Sequence, residues 1–117
     1  MPSLLTLTFL LPLSLAATTP IISYASYSTA NCTAPIITTA NVAALACVNI
    51  EDIPINSFSA YVSSGACEDA TTSPLLSLYT EAGCVDGTVV ESVGLGAETE
   101  CFQAQGVTVV SLGVECA

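Results

Sequence analysis

Few side chains of this protein could do chemistry, and the carboxylates come first. The 117 residues include ten Asp and Glu and no Lys, Arg or His. A carboxylate pair can hydrolyse a glycosidic bond, but a Ser or Cys nucleophile lacks its usual base here. The candidate carboxylates are Glu51, Asp52, Glu68, Asp69, Glu81, Glu98 and Glu100. Because adjacent carboxylates in turns are mostly solvated surface, we predict that the protein is not an enzyme and has no catalytic residues.

The six cysteines form the second chemical group, and they predict disulfides. They are Cys32, Cys47, Cys67, Cys84, Cys101 and Cys116. An even number in a short exported chain is typical of a disulfide framework, whereas a zinc site would need His or closely spaced Cys pairs. An internal repeat leaves two symmetric pairings open: Cys32–Cys47 with Cys84–Cys101, or the crossed pairs Cys32–Cys101 and Cys47–Cys84. Either choice leaves Cys67 to pair with Cys116.

One asparagine stands in a modification motif. Asn31-Cys32-Thr33 is an N-glycosylation sequon on a predicted turn. We expect Asn31 to be the glycosylation site of a secreted glycoprotein, and the alternative is an unmodified turn residue.

The amino terminus predicts export from the cell. Residues 2–16 are an apolar run that ends in small residues, which suits cleavage after Ala16. Pro12 interrupts the run, and a membrane-spanning helix needs about 20 apolar residues. The sequence therefore predicts a signal peptide over residues 1–16 and a single secreted, extracellular domain over residues 17–117.

The mature chain repeats itself. Tyr-Ser-Thr-Ala-Asn-Cys at 27–32 recurs as Tyr-Thr-Glu-Ala-Gly-Cys at 79–84, and Cys47 with Ser57 recurs as Cys101 with Ser111. Asn31 and Gly83 occupy matching positions, and Asn and Gly are the residues that enter the left-handed region most readily. We therefore expect both copies to turn at the same place, in halves that cover about 17–66 and 67–117.

The charge balance excludes several partners. Ten carboxylates without a basic residue cannot neutralise phosphates, so neither nucleic acid nor an anionic membrane is expected to bind. The remaining partners are an extracellular protein or surface component of a host or competitor, bound by a monomer. Ten like charges should also raise the carboxyl pKa values in the folded state.

Short apolar or alternating runs, rich in Val, Ile, Thr, Ser and Tyr, indicate an all-β fold. The candidate strands are Ile21–Tyr27, Ile36–Thr39, Leu45–Ile50, Ser57–Val62, Leu75–Tyr79, Val89–Val93, Cys101–Gln103 and Val107–Val114. The segment Ala40–Ala46 could instead form a short helical turn. The apolar alternation changes parity at Ser57 and Ser111, which predicts a bulge or a change of buried face.

Turn residues separate these runs. Asp86-Gly87 is a strong hairpin signal, and Gln105-Gly106 predicts a weaker turn before Val107. Gly65 to Ser73 would connect the two halves, and Pro74 suits the first residue of a strand.

The repeat resembles the βγ-crystallin Greek key. The residues that carry the resemblance are Tyr27 and Ser57 in the first copy and Tyr79, Gly87 and Ser111 in the second. In that family four strands make one motif, two motifs pair into a sandwich, and the Ser holds the hairpin by hydrogen bonding. The resemblance implies a small β-sandwich of two Greek-key motifs, stapled by the disulfides.

Calcium is the one ligand that this resemblance raises, because family sites use two Asp or Asn residues before the motif Ser. The first copy keeps Asp52 but has Ile53 in the second acidic position, and the second copy keeps neither. Calcium prefers six to eight oxygen ligands. We therefore predict no metal site and no cofactor, and a structural role for Asp52 and Ser57.

The leader, the acidic character of a mature chain of about a hundred residues and the six spaced cysteines also resemble small secreted cysteine-rich proteins of filamentous fungi. That resemblance implies an effector-like or elicitor protein that acts in virulence by binding at a host surface. The alternatives are a receptor-directed antimicrobial or killer-type toxin, and a structural protein of the cell wall. Tyr24, Tyr27 and Tyr61 are the first candidates for contact with a partner, although we expect at least two of them to pack in the core.

Overall fold

Six antiparallel strands make up the fold between residues 19 and 117. The computed structural model describes residues 19–117, and the predicted signal peptide lies outside them. The strands are β1 (Ile21–Tyr27), β2 (Ile36–Ala43), β3 (Cys47–Ser64), β4 (Pro74–Tyr79), β5 (Val89–Gly94) and β6 (Glu100–Cys116). They are hydrogen-bonded in the order β2-β1-β3-β6-β4-β5. Within residues 19–117 no helix is long and apolar enough to cross a membrane.

The two long strands change sheets along their length. β3 and β6 pair with each other throughout, but their register shifts between Asn49 and Ile53 and again between Ile55 and Ser57. Beyond Ser57, β3 pairs with β1, while the end of β6 pairs with β4. Sheet I therefore consists of β2, β1, the second part of β3 and the start of β6. Sheet II consists of β5, β4, the second part of β6 and the start of β3.

The pairing of β3 with β6 follows an internal twofold axis. Val48 pairs with Leu112. The residue 54 positions after Val48 is Phe102 and the residue 54 positions before Leu112 is Phe58, and these two also pair. Pro54 pairs with Thr108 and maps onto itself. The first half of the chain thus contributes β1–β3 and the second half contributes β4–β6. In each half the first part of the last strand, β3 or β6, completes the sheet of the other half. The predicted all-β sandwich of two Greek keys is confirmed.

The core lies between the two sheets and draws on both. Alternate residues of β1 are buried, and Phe58 stacks on Phe102 with ring centroids 5.0 Å apart, with Tyr24 5.8 Å from Phe58. The buried apolar residues are Ile22, Tyr24, Val42, Ile55, Phe58, Ala60, Leu76, Leu78, Leu95, Val109, Leu112 and Val114. Because one cluster contains residues of both halves, neither sheet would bury its apolar face alone.

The predicted strands are mostly confirmed, with differences where two of them join. Leu45–Ile50 and Ser57–Val62 both fall largely within β3, and Cys101–Gln103 and Val107–Val114 both lie within β6. The predicted bulge is confirmed, because the register shifts lie beside Ser57 and Ser111.

Two predictions of local structure are wrong. The helical turn over Ala40–Ala46 is absent, because residues up to Ala43 continue β2 and pair with β1. Gln105-Gly106 does not reverse the chain; both residues have positive φ, of 55° and 80°, and bulge β6 opposite Asn56. The connection Gly65 to Ser73 and the strand start at Pro74 are confirmed.

The disulfides adopt the crossed pairing. Cys32 in the β1–β2 connection is bonded to Cys101 on β6, and Cys84 in the β4–β5 connection is bonded to Cys47 on β3. Each therefore joins a loop of one half to the strand that the other half contributes. The third bond, Cys67–Cys116, ties the connection between the halves to the end of β6. Disulfides of this kind each stabilise a small domain by about 2–4 kcal/mol.

A buried serine holds each loop against its sheet. Ser57 Oγ accepts the backbone N–H of Cys32 at 2.8 Å and donates to the carbonyl of Thr29 at 2.6 Å. Ser111 Oγ accepts the N–H of Cys84 at 3.0 Å and donates to the carbonyl of Glu81 at 2.6 Å. Both serines are fully buried beneath these loops.

The other residues of the repeat also occupy matching places. Asn31 and Gly83 both have left-handed backbones, with φ of 67° and 84°, which confirms the predicted turn in both copies. The Tyr27 hydroxyl forms a hydrogen bond with Ser59 Oγ at 3.2 Å. The ring of Tyr79 instead lies over Gly113, 3.3 Å from the position that a Cβ atom on this glycine would occupy. Gly87, with φ of 92°, follows Asp86 in the turn of the β4–β5 connection.

Replacing Ser57 by Ala is expected to lower the free energy of unfolding by about 2 kcal/mol, because a buried N–H and carbonyl lose their partner. Urea unfolding at pH 7 measures this loss. Ser63→Ala, at an exposed position of the same strand, should cost less than about 0.5 kcal/mol. Equal losses in the two variants would show that Ser57 does not hold the loop.

Tyr24 is buried with a hydroxyl that has no hydrogen-bond partner. Burial raises the pKa of Tyr24 to about 12, and the neighbouring Ser26 opposes the shift weakly. The folded state therefore keeps this proton to higher pH than the unfolded chain, in which the pKa is about 10. The resulting stability is present below pH 10 and is lost as the pH rises towards 12.

Tyr24→Phe should therefore raise the unfolding free energy at pH 7 by about 1 kcal/mol, since an unpaired hydroxyl leaves the core. Between pH 9 and pH 11 the variant should also lose about 1.4 kcal/mol less than the wild type. Urea midpoints at the three pH values, measured for the wild type and for Tyr24→Phe, test both statements. An unchanged alkaline loss in Tyr24→Phe would contradict the assignment.

Candidate functional site

The outer surface of sheet I carries uncharged polar and aromatic side chains. We call it the neutral face. It consists of Ser23, Ala25, Tyr27, Thr39, Asn41, Ser59 and Tyr61. None of the ten carboxylates is among these residues, although the chain has a formal charge of −10.

Strand pairing arranges the neutral face in rows. Ser23 pairs with Asn41 on one side and with Tyr61 on the other, and Ala25 pairs likewise with Thr39 and Ser59. Each row crosses three strands and so spans about 10 Å. Because Ala25 is small and stands among larger side chains, a groove of about 330 Å³ opens above it.

Hydrogen bonds fix the polar groups around this groove. Ser23 Oγ donates to Asn41 Oδ1 at 3.0 Å, so the Asn41 amide directs its two N–H donors away from Ser23. Tyr27 and Ser59 bond to each other at 3.2 Å. Tyr61 is half-buried at the rim. The groove therefore offers an oriented amide, hydroxyl groups and a tyrosine ring.

The matching surface of sheet II is different, although the scaffold residues of the two halves agree. By the repeat spacing, Leu75 replaces Ser23, Ser77 replaces Ala25 and Glu115 replaces Tyr61. Ser77 bonds to Ser92 at 2.8 Å across β4 and β5, and a smaller groove of about 190 Å³ beside it is lined by Tyr79, Gly113 and Glu115. The groove of sheet I is thus lined by uncharged side chains, whereas the groove of sheet II includes the carboxylate of Glu115.

A larger cleft of about 550 Å³ has an acidic rim. It is lined among others by Leu45, Glu68, Asp69 and Glu115. Leu45 is 91 % exposed and has a positive φ of 69°, in the turn between β2 and β3. Since the chain has no Lys, Arg or His, no side chain neutralises these carboxylates.

Asp69 contradicts the expected direction of the carboxyl pKa values. Hydrogen bonds from the side chain and backbone of Thr71, at 2.7 and 2.9 Å, lower the pKa of this exposed carboxyl. A local hydrogen bond to the charged form therefore prevails over like-charge repulsion at this position.

The remaining candidate residues do not converge on a site. All seven carboxylates named as catalytic candidates are exposed, and no group of acidic or cysteine side chains in residues 19–117 could hold a metal ion. Asp52 lies on the bulge of β3, while Ser57 is buried under the loop that it bonds. Asn31 is exposed, and its Oδ1 accepts Gln103 Nε2 at 3.1 Å.

The tyrosines are only partly where the sequence predicted them. Tyr24 is wrong as a contact residue, because it points inward from β1 and is 2 % exposed. Tyr27 and Tyr61 are half-buried on the neutral face, so one tyrosine of the three packs in the core rather than two. Asn41 and Thr39 were not predicted at all. The alternation of β1 was the available signal, but it could not show which strand lies beside Ser23.

Comparison with known proteins gives no match: no family model, no curated protein and no solved structure is similar to this chain.

Adding calcium should not stabilise the protein more than magnesium does. Asp52 has no second acidic ligand beside Ser57, so both cations should act only by screening the charge of −10. Thermal unfolding at equal concentrations of the two chloride salts measures the effect. A calcium-specific rise in Tm that Asp52→Asn abolishes would contradict the prediction.

Proposed function

We propose that this chain is a secreted, non-catalytic binding protein, effector-like or elicitor in type, that acts at a host surface. The observation that carries the proposal is the difference between the two outer surfaces. The repeat preserves Ser57 and Ser111 under both loops, yet Tyr61 and Asn41 on sheet I correspond to Glu115 and Gly94 on sheet II. Because the buried serines of the two halves agree while these surface residues differ, the comparison favours a role in recognition for the outer surface of sheet I.

The disulfides support the extracellular part of the proposal. All six cysteines are paired and none is free. Such bonds form and persist in oxidising compartments, which agrees with the predicted leader. Two of them secure the loops that border the outer surfaces, so reduction should remove the shape of the neutral face.

The proposed relationship to the βγ-crystallin motif has structural support as well. Ser57 and Ser111 make the loop-holding hydrogen bonds that the resemblance implies. The loops and strands that support the neutral face would then be a scaffold, and binding would occur on the surface at which the two halves differ.

Infiltration of the purified, oxidised chain into leaf tissue at micromolar concentration should cause an oxidative burst and cell death. Reduced and alkylated protein should be silent, because the neutral face needs the disulfides. Tyr61→Ala should weaken the response, while Ser92→Ala on sheet II should leave it unchanged.

Silence of the oxidised wild type in several plant hosts would overturn the host-directed function. Growth inhibition of competing microbes would then favour a toxin, and recovery from the cell wall only by harsh extraction would favour a structural protein. A response that survives in Tyr61→Ala would separate the function from the neutral face.

A further inference from the structure

We infer that the groove of the neutral face binds a neutral oligosaccharide, of the kind exposed on a cell-wall polysaccharide. This inference rests on the proposed binding function and names the class of its ligand. The groove of about 330 Å³ lies at the lower end of the range for small-molecule pockets, which suits one or two sugar rings.

Charge decides which partners can approach this face. The protein carries −10 and has no cationic side chain, so nucleic acids, anionic lipids and acidic polysaccharides are repelled. A cationic partner would be attracted first to the carboxylates, none of which lines the groove. A neutral ligand is neither repelled by the net charge of the protein nor attracted to its carboxylates.

The polar groups of the groove match the chemistry of a sugar. A sugar hydroxyl both donates and accepts hydrogen bonds, and Asn41 presents two N–H donors whose direction is set by its bond from Ser23. Thr39 adds a hydroxyl in the next row. Because the Asn41 amide is held before the ligand arrives, less ordering entropy is lost on binding.

The tyrosine supplies the apolar part of the recognition. Tyr61 stands across Ser23 from Asn41, at the opposite rim of the groove. An aromatic ring can cover the C–H face of a sugar ring, while its hydroxyl remains free to bond. Ala25 on the floor keeps the space between the two rims open.

The internal repeat provides a comparison within one molecule. On sheet II the positions of Asn41 and Tyr61 hold Gly94 and Glu115, and Ser77, in the position of Ala25, bonds to Ser92. That surface therefore lacks the amide and the rim tyrosine, and its groove, lined by Ser77, Tyr79 and Glu115, is smaller, at about 190 Å³, and carries a carboxylate. Oligosaccharide binding should occur on sheet I alone.

The test is an NMR titration of the oxidised protein with cellohexaose, laminarihexaose and chitohexaose, with polygalacturonate as the anionic control. At least one neutral probe should shift the amide resonances of Ser23, Asn41 and Tyr61. Tyr61→Ala and Asn41→Asp should each weaken binding about tenfold. Ser92→Ala should bind as the wild type does, and urea midpoints would show that all variants are folded.

Three outcomes would overturn the inference: no neutral probe shifts these resonances at millimolar concentration, both groove variants bind like the wild type, or polygalacturonate occupies the same groove equally well. If the leaf response needs Tyr61 but no oligosaccharide binds, the partner of the neutral face would be a protein. That result would reject the inference and leave the proposed function intact. Oligosaccharide binding together with silent leaves would uphold the inference and reject the host-directed function.

Discussion

The exchange of strands between the two halves is the constraint on which the structure depends. Each half completes the other's sheet through β3 and β6, and the register shifts beside Ser57 and Ser111 let both strands pass from one sheet to the other. The crossed disulfides then join each loop to the strand that came from the other half. The loops, the buried serines and the outer surfaces all take their positions from this exchange.

A protein without cations has to stabilise itself by other means. No side-chain ion pair is available, so apolar burial, backbone hydrogen bonds and disulfides carry the fold. Polar side chains are used where they replace backbone partners, as Ser57 does beneath its loop. None of the ten carboxylates is among the residues of the neutral face, so a partner that binds there does not bury a carboxylate.

Much of the scaffold could be predicted from the sequence because it depends on local patterns. The period-two alternation of β1 and the left-handed turn at Asn31 and Gly83 are properties of short segments. The joining of two predicted strands into β3 could not be seen, because the turn-type residues Asp52, Pro54 and Asn56 between them lie within one continuous strand. The neutral face depends on which strands lie beside Ser23. The pairing of distant segments cannot be predicted from the sequence of either segment alone.

The connection between β3 and β4 has a consequence for the life of the protein outside the cell. Gly65 to Ser73 is largely exposed, as the sites that extracellular proteases cut usually are. Cys32–Cys101 and Cys47–Cys84 both span this connection. A single cut there would therefore release neither half, and the nicked molecule would keep both sheets and its groove.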